Sequence, residues 1–185
     1  MSSMISVEEA LKRVLASAET PLGEERAALE AAYGRVLSRD LAALRTQPPF
    51  PNSAMDGYAL RAADVAVVPA TLNVIGESAA GRAFGGLLGP RQAVRIFTGA
   101  PMPEGADAIV IQENVKRDGD RIEVAAAVSA GDHLRPKGLD FKDGEALIPA
   151  GRRLSPRDVA LAAAVYTALR MAGLARSDAP TAVAR

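Results

Sequence analysis

The chain of 185 residues contains no cysteine and a single histidine, His133. Without cysteine it forms no disulfide, no thiolate metal site and no iron–sulfur cluster, and it has no cysteine nucleophile. One histidine also excludes a zinc site built from several histidines of this chain. Any metal that binds here is therefore expected to be a hard cation held by oxygen atoms.

Aromatic residues and net charge are scarce as well. Aromatic side chains make up 4% of the sequence, and 22 Lys and Arg residues balance 22 Asp and Glu residues. Electrostatic binding to nucleic acid or to an anionic membrane needs a basic excess, so we expect neither partner. No apolar run reaches the roughly 18 residues of a membrane span. The first residues also lack the order of a signal peptide, so we expect a cytoplasmic protein.

Helical periodicity marks the beginning of the chain. Ser6 and Glu9 have the spacing of a capping box, and an apolar stripe at helical spacing follows them. This stripe predicts a first helix that packs on another part of the protein. A second helix is predicted over residues 24–33, with Gly34 as its carboxyl-terminal stop. Residues 36–44 are predicted to be extended.

From Gln47 onward the pattern is typical of a β-rich region. Short apolar segments alternate with turns that contain Gly, Pro and Asp, and Asp118-Gly119 is a predicted hairpin turn. Residues 81–89 are rich in glycine and predict a mobile loop. Strands are predicted over residues 58–61, 72–76, 93–98, 108–113 and 121–128.

The last part of the chain returns to helical character after a short strand at residues 146–148. Ser155 as cap and Pro156 at the first helical position predict where the final helix begins. The body of this helix, residues 159–171, is rich in alanine and apolar on nearly all sides. Such a helix belongs inside a larger core.

Two loop segments place acidic or hydroxyl side chains next to glycine. In residues 48–61, Asp56 is either an ordinary turn residue or a carboxylate held at a loop tip where a ligand can approach. In residues 95–113, Thr98 and Gly99 follow a predicted strand. They form either a plain strand–turn–strand connection or a site where a hydroxyl and free backbone amides bind an anion.

A third loop segment, residues 133–147, concentrates charge. Arg135 and Lys137 stand close to Asp140 and Asp143, which is typical of a solvated ion-pair surface. The same residue types also suit phosphate contacts and a metal-holding carboxylate. The chain has no G-x-G-x-x-G, Walker, G-x-S-x-G or H-E-x-x-H motif. Composition and spacing alone therefore give an α+β protein with a candidate site but no reaction.

The three segments together resemble a known family. In this order, NSAMDGYALR, IFTGAPMPEGADAIVIQE and RPKGLDFKDGEALIPAG resemble the molybdopterin molybdenumtransferase family, which includes MoeA and the E domain of gephyrin. SVEEALKRVL and LEAAYGRVLSRDL resemble that family's opening, so the resemblance spans roughly residues 5–164. It implies a Mg²⁺-dependent transferase of molybdenum cofactor biosynthesis, which inserts molybdate into adenylylated molybdopterin and releases AMP.

The resemblance also assigns roles to individual residues. Asp56 of the MDG motif, Thr98 of the TGAP motif and Asp140 of the GLDF segment match residues of the family's active site. Asp56 or Asp140 would hold Mg²⁺ at the substrate phosphates, and Thr98 would orient a phosphate oxygen or a water molecule. The residues assigned to substrate binding are Asn52, Ser53, Met55, Gly57, Gly99, Arg135 and Lys137.

The fold that the resemblance implies is α+β and mainly β, with an elongated helix-containing lobe and an inserted β-rich lobe of short curved sheets. The expected boundaries are 1–22 for the amino-terminal helix, 46–144 for the inserted lobe and 176–185 for a disordered tail. Residues 23–45 and 145–175 would form the elongated lobe, through which the family forms homodimers.

This sequence departs from the family pattern at three places. Pro51 stands where the family commonly has Asp, and Leu139 stands where it often has an acid. Family members are also much longer and continue into an α/β domain that binds the pterin and molybdate. We therefore expect these 185 residues to supply one wall of a composite site and to be inactive alone. The alternative is a truncated, non-catalytic family member that acts as a dimerising scaffold.

Overall fold

The structure, a computed structural model, describes residues 4–17, 23–171 and 182–184, with side chains of the last helix described up to residue 165. Two compact units divide the chain: Met1–Leu44 with Gly144–Arg185, termed the flanking unit, and Arg45–Asp143, termed the inserted unit. In chain order the helices and strands are α1 (Val7–Ala16), β1 (Glu25–Ala27), β2 (Leu41–Ala42), β3 (Asn52–Ser53), β4 (Gly57–Leu60), β5 (Ala70–Ser78), β6 (Gln92–Ile96), β7 (Ala108–Ile111), β8 (Val115–Asp118), β9 (Arg121–Val124), β10 (Leu134–Arg135), β11 (Ala146–Ile148), α2 (Pro156–Met171) and β12 (Ala182–Ala184).

Strands dominate this architecture. The described residues contain twelve strands, two α-helices and three 3₁₀ turns, at Leu29–Ala31, Ala62–Val65 and Gln112–Asn114. The predicted class, α+β and mainly β, is therefore confirmed. In the described part of the chain, no helix has the length and hydrophobicity needed to span a membrane.

A six-stranded sheet forms the centre of the inserted unit. Its strand order is β7-β4-β6-β5-β9-β8, with β5 and β6 parallel and the other neighbours antiparallel. Every residue of β4 is buried, and β7 is buried except at its last residue, whereas β5 and β9 alternate buried with exposed residues and β8 is largely exposed. Strands that are buried on both faces need nearly continuous apolar sequence, as β4 and β7 have. The larger core contains Tyr58, Leu60, Val65, Ala70, Leu72, Ala93, Ala108, Val110, Ile122 and Val124. A second cluster is Ala59, Ile96, Ala100 and Ile109.

The strands predicted for this region are confirmed to within a few residues at each end. The predicted hairpin is also present, since β8 and β9 pair directly, although its two loop residues are Gly119 and Asp120. The two ends of the inserted unit meet. Gln47 pairs with Phe141, and the Asp143 N–H donates to the Thr46 hydroxyl over 3.2 Å.

The flanking unit has a smaller core. One cluster of buried residues there is Ala32, Leu37, Ile148 and Leu154, and β2 pairs with β11 in the same unit. Gly34 is required at the turn that follows Ala32, because its φ of 78° lies in the left-handed region that side chains disfavour. Its N–H donates to the Leu154 carbonyl over 2.9 Å, which joins the two parts of this unit.

The helix predicted over residues 24–33 is wrong. Strand β1 and a single 3₁₀ turn, Leu29–Ala31, occupy this stretch. Good helix formers are abundant there, but β1 pairs antiparallel with β12, and a long-range pairing of this kind overrides local propensity. The segment is also too short to gain much from helical cooperativity.

The final helix begins where the sequence predicts. Asp158 accepts the Ser155 N–H at 2.8 Å and the Ser155 hydroxyl at 2.6 Å, and its own N–H donates back to that hydroxyl. In the part with described side chains, Asp158, Ala162 and Val165 are buried whereas Ala160 and Ala164 are exposed. Burial of α2 is therefore one-sided there, and the expectation of a helix enclosed in a core is not met.

Helix α1 is capped as expected, with the Glu9 N–H donating to the Ser6 hydroxyl over 3.2 Å. The reciprocal bond of the capping box is replaced, because the Glu9 carboxylate accepts from Arg13 at 2.8 Å. None of the ten residues of α1 is buried. Among the described residues nothing covers its apolar stripe, of which Leu11 is 57% exposed.

Candidate functional site

The short strand β3 brings the three polar segments together. On one side it pairs with β10, where Arg135 lies opposite Asn52. On the other side Ser53 bonds to the loop after β6, since its N–H donates to the Ala100 carbonyl at 3.0 Å and its carbonyl accepts from Gly99 at 2.8 Å. Backbone hydrogen bonds therefore join segments that lie far apart in the sequence.

Asp56 and Thr98 meet directly at this junction. Asp56 lies between β3 and β4, and Thr98 follows the end of β6. The Thr98 N–H and the Thr98 hydroxyl both donate to Asp56 Oδ1, each over 2.8 Å. No hydrogen bond to Oδ2 is present among the described residues. One carboxylate oxygen is thus fixed, while the other can accept a ligand.

The same contacts set the charge of Asp56. The Thr98 N–H, followed by the Thr98 hydroxyl, holds the pKa of Asp56 below the ordinary value of an aspartate, and the nearby Arg95 charge adds to this effect. Donors that favour the charged form lower the pKa of a carboxyl group. Asp56 is therefore ionised throughout the neutral range.

Ser53 and Asn52, both predicted to bind substrate, are buried. The Ser53 hydroxyl donates to the Met55 carbonyl at 2.5 Å and accepts from the Met55 N–H at 3.2 Å, so it stabilises the turn that presents Asp56. Asn52 Oδ1 is buried and has no hydrogen-bond partner among the described residues. Met55 itself is 41% exposed next to Asp56.

Gly57 has a packing role that the sequence did not indicate. A Cβ atom at this position would lie 2.0 Å from the Val110 carbonyl oxygen, which belongs to the neighbouring strand β7. Any side chain would therefore push β4 and β7 apart. The glycine keeps the strand that follows Asp56 close to its partner.

The backbone amides after β6 do not form an anion site in this structure. Thr98 donates to Asp56, Gly99 donates to Ser53, and Ala100 donates to the Phe97 carbonyl at 2.9 Å. Of the two alternatives for this segment, the plain strand–turn–strand connection therefore fits the structure better. These amides stabilise the loop instead of remaining available for a ligand.

Arg135 and Asp140 form an ion pair beside the junction. Arg135 Nη2 donates to Asp140 Oδ1 over 2.7 Å, and both side chains are partly exposed. The Asp140 N–H donates to the Gln47 carbonyl at 2.9 Å, which holds its loop in place. Lys137 is exposed. Among the described residues, no hydrogen bond links this pair to Asp56 or Thr98.

The acidic side chains do not form a complete metal site by themselves. Within residues 4–17, 23–171 and 182–184, no group of three or more His, Asp or Glu side chains is arranged to hold a metal ion. Asp56 still offers a hard oxygen ligand. It therefore fits a cation that takes most of its ligands from water and phosphate, as Mg²⁺ commonly does.

Arg95 belongs to the same neighbourhood and was missed by the sequence analysis. It lies on β6, and its guanidinium donates to the Gly57 carbonyl and to the Gln112 side chain. Phe97 lies one residue beyond the end of β6 and two residues from Arg95, a spacing that puts both on one face of an extended segment, and this pattern in RIFTGA could have identified Arg95.

An open cavity of about 410 Å³ lies next to Arg95, in the inserted unit. It forms where the pairing of β5 with β6 shifts register between Val74 and Glu77. Its walls combine two cations, two acids and the irregular part of β5. The lining residues are Val74, Ile75, Gly76, Glu77, Arg95, Arg117 and Asp120.

Known proteins resemble this chain over most of its length. The molybdopterin molybdenumtransferase of Synechococcus elongatus is 40% identical over 168 residues, which cover 88% of this chain and 42% of that protein. The enzyme of the same name from Haemophilus influenzae is 34% identical over 163 residues, or 88% of this chain and 40% of that protein. The chain thus spans less than half the length of these relatives.

A solved structure agrees with the fold. The crystal structure of the molybdopterin biosynthesis moeA protein from Pyrococcus horikoshii OT3 has a TM-score of 0.84 and 33% identity, and covers 99% of this chain and 46% of that one. Residues 5–165 match the family described as the MoeA N-terminal region, domain I and II. The resemblance inferred from the three loop segments is therefore confirmed, and this chain belongs to the MoeA N-terminal region family.

Proposed function

We propose that this chain supplies the amino-terminal half of a molybdopterin molybdenumtransferase that works in the cytoplasm. The reaction inserts molybdate into adenylylated molybdopterin and releases AMP. The observation that carries this proposal is the contact of Asp56 with Thr98 at the point where the three family motifs meet. The names of the relatives from S. elongatus and H. influenzae support the choice of reaction.

Asp56 is proposed to hold Mg²⁺ at the phosphates of the adenylylated substrate. Thr98 fixes the orientation of the carboxylate through Oδ1, and Oδ2 remains for the cation. When bound, Mg²⁺ supplies charge neutralisation at the phosphate oxygens. The lowered pKa of Asp56 serves this role, because a metal-binding carboxyl group must be deprotonated. Asp140 is the second proposed acid.

Thr98 is proposed to act mainly through Asp56. Its hydroxyl hydrogen is committed to Asp56 Oδ1, so it does not donate the same hydrogen to a phosphate oxygen. The hydroxyl oxygen can still accept a hydrogen bond from a water molecule. Thr98 thus orients the carboxylate and a nearby water, whereas Arg135 and Lys137 supply positive charge for the anionic substrate.

The proposal places the rest of the catalytic site outside these 185 residues. The chain matches only 42% of the S. elongatus enzyme, so the pterin and molybdate contacts are expected from the other part of a longer protein. We therefore expect the 185-residue chain alone to show no turnover of adenylylated molybdopterin with molybdate and Mg²⁺.

A chimera tests the function. This chain replaces the matching 168 residues of the S. elongatus enzyme, and AMP release is measured with the intact S. elongatus enzyme as reference. We expect an active chimera and at least an about tenfold lower rate for its Asp56→Asn variant, with an unchanged melting temperature. Asp64→Asn is the matched control, because Asp64 also accepts a backbone N–H, from Arg91 at 2.8 Å, but lies outside the site.

Two outcomes would contradict the proposal. A folded chimera that is inactive while the S. elongatus enzyme is active would show that this chain does not supply the proposed residues. If the chimera is active and Asp56→Asn releases AMP at the same rate as Asp64→Asn, Asp56 is only a turn residue. The first outcome would favour the alternative of a dimerising scaffold without catalysis.

A homodimer is also proposed, formed through the flanking unit. Supporting this, the flanking unit has exposed apolar side chains, including Tyr33 at 68% and Leu44 at 46% exposure. Exposed apolar patches commonly mark interaction surfaces. Sedimentation of the chain at micromolar concentration tests this proposal, and a clean monomer would overturn it.

A further inference from the structure

The guanidinium of Arg95 lies between the two chain segments that carry Asp56 and Thr98. Its central carbon is 5.1 Å from the ring centre of Tyr58 and 4.8 Å from that of Phe97. Tyr58 follows Asp56 by two residues, and Phe97 directly precedes Thr98. Stacking of a guanidinium on two aromatic faces is a favourable and directional contact.

Hydrogen bonds close a ring around the same group. Arg95 Nη1 donates to the Gly57 carbonyl at 3.1 Å, and Nη2 donates to Gln112 Oε1 at 2.7 Å. The backbone N–H of Gln112 in turn donates to the Asp56 carbonyl at 3.1 Å. Consecutive carbonyls, those of Asp56 and Gly57, are thus both held by this ring.

We propose that Arg95 is a positioning residue, which fixes Asp56 relative to Thr98 and so sets the geometry in which the carboxylate meets its ligand. Only the consequence for catalysis rests on the function proposed above. Arg95 acts through Asp56 and Thr98 and does not itself need to touch the substrate.

These contacts depend on the planar shape and the separate nitrogens of the guanidinium. Two separate nitrogens bond two acceptors while the flat face stacks on the rings, and a lysine ammonium reproduces neither feature. Arg95→Lys therefore keeps the charge but loses the ring of contacts. Arg95→Met keeps an apolar stem and loses the charge as well.

The first experiment reads the contact itself in the 185-residue chain. Amide hydrogen exchange measured by NMR follows the Thr98 N–H, which reports on its bond to Asp56, and the Gln112 N–H. We expect exchange at both sites to be faster by about fivefold or more in Arg95→Met and in Arg95→Lys. The matched control is Arg117→Met, since Arg117 also lines the cavity but, in the described part of the chain, its guanidinium donates a hydrogen bond to the Gly119 carbonyl alone.

A second variant guards against loss of folding. Gln112→Ala removes the hydrogen bond from Arg95 Nη2 to the Gln112 side chain and leaves Arg95 itself unchanged. It is expected to accelerate exchange of the Thr98 N–H by a smaller factor than Arg95→Met. Wild-type exchange at Thr98 in folded Arg95→Met, or in Gln112→Ala if Arg95→Met does not fold, would overturn the proposal.

The second experiment reads the consequence in the chimera described above. Arg95→Lys is expected to lower kcat by about tenfold with little change in KM, because misplacement of a reacting group weakens the transition state more than substrate binding. If Arg95→Lys and Arg117→Met lower kcat of the chimera equally, the proposed effect of Arg95 on catalysis would be overturned. If even the unmodified chimera is inactive, the proposed function fails, whereas the exchange result still decides whether Arg95 positions Asp56.

Discussion

The inserted unit and the flanking unit solve the problem of burying apolar surface in different ways. The inserted unit buries most residues of the three neighbouring strands β4, β6 and β7 of its six-stranded sheet, so Leu60, Ile96 and Ile109 are wholly buried. The flanking unit has a buried cluster of only four residues and leaves α1 without a buried residue. The unit that carries Asp56 therefore contains most of the buried apolar residues, whereas the flanking unit leaves the apolar stripe of α1 exposed.

The largest effect is expected from removing a core side chain of the inserted unit. Leu60→Ala leaves a cavity beneath β4, where Leu60 is 0% exposed, and should cost about 2–5 kcal/mol in the free energy of unfolding. Chemical denaturation followed by circular dichroism measures this. Val67→Ala is the control, because Val67 is 83% exposed and its truncation should change stability by less than about 0.5 kcal/mol. If Leu60→Ala and Val67→Ala change the free energy of unfolding equally, Leu60 is not part of a stabilising core of the inserted unit.

A moderate and pH-dependent effect is expected in the flanking unit. The Ser155 hydroxyl and N–H, together with Arg152, lower the pKa of Asp158 from 3.8 to about 2. Because the folded state favours the charged carboxylate, this stabilisation is fully present above the unfolded pKa and is lost as the pH falls through the folded one.

Comparison of the wild type with Asp158→Asn over this range tests the effect. The difference in unfolding free energy between the two proteins should be constant above about pH 5 and should shrink as the pH falls towards about 2. Denaturant titrations at several pH values measure it. A difference that stays constant down to pH 2 would show that the Asp158 charge does not stabilise the start of α2.

The smallest effect is expected on α1. Leu11→Gln changes an exposed side chain and should alter the stability of the isolated chain by less than about 0.5 kcal/mol. A loss above about 2 kcal/mol would mean that the face is covered after all. Sedimentation of the wild type and of Leu11→Gln then shows whether a second copy of the chain covers this face of α1.

Local patterns were enough to predict much of the fold. Short apolar segments separated by turns predicted the strands of the inserted unit, and Ser155 with Pro156 predicted the start of α2. Residues 24–33 were misassigned because their strand depends on a partner about 160 residues away, at Ala182–Ala184. Helix propensity contains no information about such a partner.

The candidate site was predictable only in part. Asp56 and Thr98 were chosen through motifs, and the structure places them in direct contact. The two-residue strands β3 and β10 carry no periodicity, so the backbone junction that joins the motifs was not visible in the sequence. Arg95 was missed because its partners Tyr58 and Gln112 lie on β4 and in the turn after β7, and the sequence does not show that they meet Arg95.

The meeting of the inserted unit's two ends, at Gln47 and Phe141, has a consequence for how such proteins can change over time. A module whose entry and exit lie side by side can be gained, lost or exchanged between genes while the host chain continues almost from the point where it was interrupted. Mutational drift in the host and in the module can then proceed separately. Asp56 and Thr98 both belong to this inserted unit, so a gene segment that encodes the unit would carry both residues.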